Sequence, residues 1–185
     1  MSFSCTIFAN DNQCRPEIWK IPLGISITNN IYIFMRLHNS NWFETIVSYN
    51  ATQENGSMKK VSETYVVDAL TFTEAEAAIT NNLTPYLEGD AEFTIKNINP
   101  AAYSSVCLSD NDEDNRYFKA KISVTYMNDA GKEKKSSNTY LIQARNLRLA
   151  YEVAAQLVNN DPSGNSELEA LTKTKIIDVY LHDEQ

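Results

Sequence analysis

The feature that most limits the possible folds of this chain is a repeat within its own sequence, displaced by 75 residues. At that shift, ten of the 39 positions from 42 to 80 are identical to their counterparts without a gap. The identities include Gly56 with Gly131, and the two lysines at 59–60 with those at 134–135. Because the matches fall at strand and turn positions, we predict two copies of one structural unit.

Each copy opens with residues that alternate between apolar and polar, which is the period of a strand with one buried face. In the second copy the apolar set is Phe118, Ala120, Ile122, Val124 and Tyr126, and the intervening set is Tyr117, Lys119, Lys121, Ser123 and Thr125. We expect the first set to be buried and the second to face water. The first copy keeps this parity from Phe43 to Tyr49.

A hairpin follows in each copy. Gly56 and Gly131 mark the turns, because glycine readily adopts the positive φ that tight hairpin connections use. The return strands are predicted at 60–69 and 135–144.

A helix follows each hairpin. Thr71 and Glu74 form a capping box in the first copy, and Asn146 holds the equivalent N-cap position in the second. Another extended run comes after each helix, near 92–98 and near 175–181. Each copy is therefore predicted to be a ββαβ unit.

Together these units predict an α+β fold, with two tandem ββαβ repeats forming one antiparallel-sheet domain with two helices. We place the domain at 42–185, with repeat one at 42–109 and repeat two at 116–182. The acidic run from Asp110 to Asp114 is predicted to be an exposed connection between them.

Residues 1–41 match neither copy, and they mix Asn and Pro with scattered apolar residues. We predict that they are a poorly ordered or spurious N-terminal extension, dispensable for folding up to about residue 38. An additional strand and hairpin is the alternative interpretation.

Charge and cysteine usage exclude several classes of protein. Sixteen Lys and Arg stand against 24 Asp and Glu, a net charge of −8, which disfavours a general electrostatic hold on duplex DNA or an anionic membrane. Three cysteines with wide spacing form neither a disulfide framework nor a zinc motif. No run of apolar residues is long enough for a membrane span. We therefore expect a cytoplasmic protein.

Several segments resemble one protein family. They are NWFE at 41–44, KKVSETYVVDALTFTEAEA at 59–77, RYFKAK at 116–121 and IDVY at 177–180. Over about 42–182 the chain resembles domain of unknown function 4494, an uncharacterised family common in Bacteroidetes and their mobile elements. The resemblance implies no activity, substrate or site. The N-terminal extension departs from the family pattern, which favours Met35 as the start of the protein.

No residue pattern indicates catalysis or metal binding. There is no nucleophile motif, phosphate-binding loop or Cys-x-x-Cys pair. His38 and His182 are predicted to be surface residues, and Cys107 a small buried apolar residue. The acids at 110–114 lack the glycine and the distal glutamate of an EF-hand. We therefore predict a protein that is not an enzyme and holds no cofactor.

The two copies differ in charge. The second has cations at Lys119, Lys121, Lys132, Arg145 and Arg148, where the first has Glu44, Ile46, Ser57, Leu70 and Thr73. Two interpretations stay open: complementarity between the copies or drift in solubility, and an anionic partner bound by one copy.

One candidate site is the start of the second helix. Cations in a first turn oppose the helix dipole, whereas the amides there bind anions. The candidate anion-binding residues are Arg145, Asn146, Arg148, Lys134 and Lys135. The alternative is that the arginines pair with acids, such as Arg148 with Glu152.

Three classes of function remain open. The first is a non-enzymatic binding or adaptor module for an unknown macromolecule or anionic ligand. The second is single-stranded nucleic-acid binding on the wet sheet face, with Trp42 or Tyr117 as stacking platforms. The third is an enzyme with an unrecognised site.

Overall fold

The computed structural model describes residues 31–35, 41–52, 56–86, 93–161 and 164–181. The expectations for residues 1–30, His38 and His182 lie outside these ranges. The described elements are β1 (Ile31–Met35), β2 (Asn41–Thr52), β3 (Met58–Ala69), α1 (Phe72–Leu83), β4 (Phe93–Ala101), β5 (Ser105–Ser109), β6 (Tyr117–Met127), β7 (Glu133–Gln143), α2 (Leu147–Asn159), β8 (Ser166–Lys173) and β9 (Ile176–Tyr180). The predicted α+β class is confirmed.

The strands lie in two sheets. The first sheet has the order β4-β2-β3-β9, and the second has the order β1-β5-β7-β6-β8. This differs from the single antiparallel sheet predicted from sequence, since each sheet also contains one parallel pair, β3–β9 in the first and β5–β7 in the second. Alternation along a strand identifies its two faces but does not say which strand lies beside it.

The two halves of the domain, 41–109 and 117–180, repeat the same arrangement. The hairpins β2–β3 and β6–β7 keep the 75-residue shift, as do the starts of the two helices. Both halves carry a β-bulge at the same place, in β4 opposite Ile46 and Val47 of β2 and in β8 opposite Lys121 and Ile122 of β6. A shared bulge is a specific feature, because bulges mark local changes in chain direction.

Each half ends in two strands, where the sequence predicted one. The second of them is exchanged: β5 pairs with β7 of the other half, and β9 pairs with β3. Tyr65 pairs with Asp178 and Tyr140 with Ser105, so the closing strands correspond at a shift of 73 residues. The exchange interlocks the two halves.

The domain has four layers, helix, sheet, sheet and helix. One core lies between α1 and the first sheet, and another lies between α2 and the second sheet. The inter-sheet core is built from four pairs of equivalent residues: Trp42 with Tyr117, Val66 with Leu141, Tyr103 with Ile176, and Val106 with Val179.

This inter-sheet core corrects one expectation. Trp42 and Tyr117 were predicted to lie on a wet face, but they are only 1% and 3% exposed. The reason is that the less apolar face of each hairpin is partly covered by the other sheet.

The predicted apolar faces are confirmed at Phe43 and Phe118, which are buried against the helix side of their sheets. The prediction was wrong for Tyr126, which is 48% exposed near the end of β6, and for Ser123, which was expected to face water but is 1% exposed because it lies in the middle strand of three.

The helix starts agree with the sequence analysis. The Thr71 hydroxyl accepts a hydrogen bond from the Glu74 amide at 3.2 Å, and the Glu74 carboxylate reaches back to the Leu70 amide at 2.8 Å. The Asn146 side chain accepts from the Leu149 amide at 3.0 Å. Both caps satisfy amides that have no partner within the helix.

The acidic connection differs from its prediction at one residue. Asp114 is only 9% exposed, and its carboxylate accepts from the Arg145 amide at 2.9 Å and the Ser109 hydroxyl at 2.6 Å. A carboxylate can be buried when donors surround it, and these donors come together only in the folded chain.

Part of the predicted N-terminal extension is a strand. Ile31–Met35 pairs in antiparallel register with β5 and forms one edge of the second sheet. For these five residues the structure agrees with the alternative of an additional strand.

Candidate functional site

The residues predicted to bind an anion at the start of α2 are engaged in contacts within the protein. A side-chain nitrogen of Arg145 lies 2.6 Å from Glu113, and Arg148 Nε lies 3.0 Å from Glu152. The Asn146 side chain caps the helix. Pairing with acids, the alternative interpretation, is therefore what the structure shows for both arginines.

The two lysines assigned to that site lie elsewhere. Lys134 and Lys135 are at the start of β7, whereas α2 follows its end. About ten residues of extended chain separate them from Arg145, a distance of roughly 30 Å at 3.3 Å per residue. The structure does not bring the five predicted residues together.

The extra lysines of the second half are also paired with acids. Glu169 is the bulged residue of β8, and its carboxylate lies 2.7 Å from Lys121 Nζ and 2.8 Å from Lys135 Nζ. Hydrogen bonds from Lys121 and then from Lys135 lower the pKa of Glu169 to about 2. The hydrogen bond to Glu169 raises the pKa of Lys135. Glu167 lies 3.8 Å from Lys135 Nζ, so two carboxylates balance these two lysines on the inner face of the second sheet.

An open cleft lies between the sheets, where the chain crosses from β8 to β9. Its volume is about 300 Å³. The residues that line it are Glu44, Thr64, Tyr103, Lys119, Thr172, Lys173, Thr174, Lys175 and Ile176. Three lysines and one glutamate line the cleft, so its lining is basic although the whole chain is acidic.

At the centre of the cleft, equivalent residues of the two halves meet with opposite charge. Lys119 Nζ lies 3.6 Å from the Glu44 carboxylate, and these positions correspond in the repeat. The Tyr103 hydroxyl donates a hydrogen bond to Glu44, and Lys119 Nζ lies 5.0 Å from the centre of the Tyr103 ring. Burial, and then the hydrogen bond to Glu44, raise the pKa of Tyr103, which keeps its hydroxyl protonated. Complementarity between the copies, one of the two open interpretations, is present at this pair.

The side of the cleft formed by the β8–β9 crossover carries positive charge that no neighbouring carboxylate balances in the part of the chain that the structure describes. Lys173 and Lys175 have no carboxylate within ion-pair distance among the described residues. The equivalent positions of the first half hold Pro100 and Ala102. Only one of the two crossovers is therefore basic.

The positive charge continues along the inner face of the first sheet. Lys96 is the bulged residue of β4 and corresponds to Glu169, and its Nζ donates to the Ser62 hydroxyl at 3.1 Å. Lys60 is exposed two residues before Ser62 on β3, and the described part of the chain places no carboxylate within ion-pair distance of it. We call Lys60, Lys96, Lys173 and Lys175 the lysine strip.

Sequence reasoning missed the lysine strip. It assigned the basic surface to the second copy because that copy has more lysines and arginines. The correspondence of Lys96 with Glu169 could have indicated the strip, but the shift changes from 75 to 73 residues before β4 and β8. An ungapped alignment therefore does not place these two residues together.

A family model described as "Domain of unknown function (DUF4494)" matches residues 41–182. The chain belongs to this family. The match begins at the first residue of β2 and includes both halves, the cleft and the lysine strip. Neither the curated proteins nor the solved structures compared with this chain contain a match.

Three further features of this DUF4494 member concern its cysteine, metal binding and membranes. Burial raises the pKa of the Cys107 thiol to about 12, which keeps it protonated and a poor nucleophile. Within the described residues, no three His, Cys, Asp or Glu side chains are grouped to hold a metal ion. None of the described helices has the length and apolar character needed to cross a membrane.

Proposed function

We propose that this protein is a non-enzymatic binding or adaptor module that takes an anionic ligand into the inter-sheet cleft. The observation that carries the proposal is the lining of the cleft, which includes Lys119, Lys173 and Lys175 and has Glu44 as its one acidic residue. The hydroxyl groups of Thr64 and Thr172 supplement the lysines, whereas the Thr174 hydroxyl donates to the Tyr117 carbonyl at 2.8 Å. Ammonium and hydroxyl donors together are typical partners of phosphate or carboxylate oxygens.

The acidity of the whole chain does not oppose this function. A cleft with low-dielectric walls concentrates the field of the charges that line it, so local charge governs the capture of a ligand. Glu44 is held by Lys119 and Tyr103, which leaves the crossover lysines as the outward cations of the cleft.

Binding of pyrophosphate tests the proposal. We expect titration calorimetry to show binding that weakens as salt is added, and Lys173→Gln/Lys175→Gln to weaken it about a hundredfold, because two charge-assisted hydrogen bonds together contribute about 3 kcal/mol. Lys132→Gln/Lys134→Gln, on the β6–β7 hairpin, removes the same charge away from the cleft. Equal binding by the two double variants would contradict the proposal.

The other open functions have different support. Stacking of bases on Trp42 or Tyr117 has no structural support, because both side chains are buried. Nucleic-acid binding through phosphates is supported by the lysine strip. No group of described residues favours an enzyme. A cytoplasmic location and a Bacteroidetes mobile element as the source are also part of the proposal, and the genes beside this one would test the source.

A further inference from the structure

We infer that the ligand is a single-stranded nucleic acid, held through its phosphates by the lysine strip along the first sheet. The inference rests on the proposed function, because the strip begins at the cleft. It adds the class of ligand and the path that the ligand follows across the protein.

The strip is a continuation of the cleft wall. Lys60, Ser62 and Thr64 lie on the same face of β3, and Thr64 lines the cleft. Alternate residues of a strand are about 6.8 Å apart, so these three span roughly 14 Å. Lys96 approaches the middle of this row from β4, where it contacts Ser62. Cations therefore occur at the cleft, beside it and beyond it.

This spacing fits an extended polyanion. A small anion in the cleft would contact Lys173 and Lys175 but would leave Lys60 and Lys96 unused. A chain with a charge on every unit would meet each lysine in turn. Its affinity would rise with length until the row was filled.

The surface favours a nucleic acid over an acidic peptide. The strip lies on the inner face of the first sheet, where Lys60 belongs to β3 and Lys96 to the edge strand β4. A peptide added as a strand would bind along an edge of the sheet and not across this face, and side-chain recognition of a peptide needs apolar pockets. The groups present are ammonium and hydroxyl groups, which are common contacts of phosphate oxygens.

The cleft favours a single strand. Packed sheets are about 10 Å apart. The major groove of a DNA duplex is by itself about 12 Å wide, so a whole duplex is too wide to lie between two packed sheets. The exposed aromatic residues among those described, Phe72, Tyr126 and Tyr151, lie on the helices or on the helix side of β6. Bases are therefore not expected to stack on the strip, and binding should be tolerant of sequence and sensitive to salt.

The second sheet provides a matched control. Lys135 corresponds to Lys60, but the bulge residue beside it is Glu169 in place of Lys96. Lys121→Gln/Lys135→Gln therefore removes the same charge as Lys60→Gln/Lys96→Gln, from the equivalent face and at equivalent distance from the helices.

The experiment measures the fluorescence anisotropy of labelled oligodeoxythymidines of about 4, 8 and 16 nucleotides, the range of site sizes for single-strand binders. Four lysine–phosphate contacts predict a slope of log affinity against log salt near −3, at about −0.7 per contact. Lys60→Gln/Lys96→Gln should bind the longest strand about tenfold more weakly and give a slope shallower by about 1.4. The control variant should bind as the parent does.

The outcomes separate the two proposals. If pyrophosphate binds in the cleft but oligonucleotide affinity depends neither on length nor on Lys60 and Lys96, the inference is overturned and the proposed function stands. If pyrophosphate does not bind, the proposed function fails. A 16-base-pair duplex or a polyglutamate peptide that binds the parent as tightly as the single strand also overturns the inference. Near-ultraviolet circular dichroism confirms that each variant is folded.

Discussion

The inner faces of the two sheets are built from equivalent positions, yet they distribute charge differently. On the second sheet Glu169 lies between Lys121 and Lys135, and Glu167 lies 3.8 Å from Lys135 Nζ, so two carboxylates balance the two lysines. On the first sheet the equivalent bulge holds Lys96, whose partner is the uncharged Ser62. The residue at the bulge is thus one of the differences that determine whether a duplicated surface balances its own charges or presents them to a ligand.

The comparison also changes how the repeated lysine pair is interpreted. The residues at 59–60 and 134–135 are identical in the two copies. Lys135 forms ion pairs, whereas Lys60 is part of the lysine strip. A motif shared by two copies therefore does not imply a shared role, because its neighbours across the sheet determine which charges are available.

The largest expected effect tests whether the two halves are one structural unit. Trp42→Ala and Tyr117→Ala each remove a large side chain from the inter-sheet core and should lower the free energy of unfolding by about 3–5 kcal/mol. Urea unfolding should show one transition in the parent and in both variants, because the exchanged strands interlock the halves. Two separate transitions would show that the halves are independent.

The next effect reverses the charge difference between the faces. Glu169→Lys places a third lysine beside Lys121 and Lys135 on the inner face of the second sheet, and it should create oligonucleotide binding there while lowering the melting temperature. Lys96→Glu provides the first sheet with a partner for Lys60 and should weaken binding by about tenfold. Anisotropy titrations of both variants check this. Unchanged affinity in the two variants would mean that the bulge residue does not control binding.

A smaller effect concerns the N-caps of the two helices, which should contribute equally to the free energy of unfolding. Thr71→Ala and Asn146→Ala each remove an N-cap and should lower the free energy of unfolding by about 1 kcal/mol. Urea unfolding measures both. A large difference between them would show that the equivalence of the halves does not extend to their helices.

The smallest effect is the pH dependence contributed by Glu169. Its pKa in the folded protein lies below its ordinary value of 4.5, so its contribution to stability is present above that value and is lost as the pH falls toward 2. The melting temperature of Glu169→Gln should therefore fall less than that of the parent as the pH is lowered from 4.5 toward 2. Lys96→Gln should follow the parent, and an identical acid limb in all three proteins would contradict the assignment.

Local features were well predicted from the sequence because their physical causes are local. Alternation located β2 and β6, glycines marked the turns, and Thr71 and Asn146 marked the helix starts. Gly56 and Gly131 adopt φ of +77° and +70°, as the hairpins required. Alignment of the copies also placed equivalent residues in the same register over the first three elements of each half.

Features that depend on distant neighbours were not predicted. Strand β5 has only five residues with no clear alternation, and it is stabilised by pairing with β7 of the other half. Asp114 is buried because Ser109 and the Arg145 amide meet it. The predicted anion site failed for the same reason, since Glu113 and Glu152 already occupy its arginines.

The sequence by itself determined that this protein is an α+β duplication with two hairpins and two capped helices. Periodicity, turn residues and caps act over a few residues, so they can be recognised without the fold. Only the tertiary structure decided that the hairpins lie in two facing sheets, that the last strands are exchanged, and that Lys96 and Glu169 occupy equivalent bulges. Ion pairing depends on distances of a few ångströms between residues far apart in the chain, and those distances exist only after the sheets have packed.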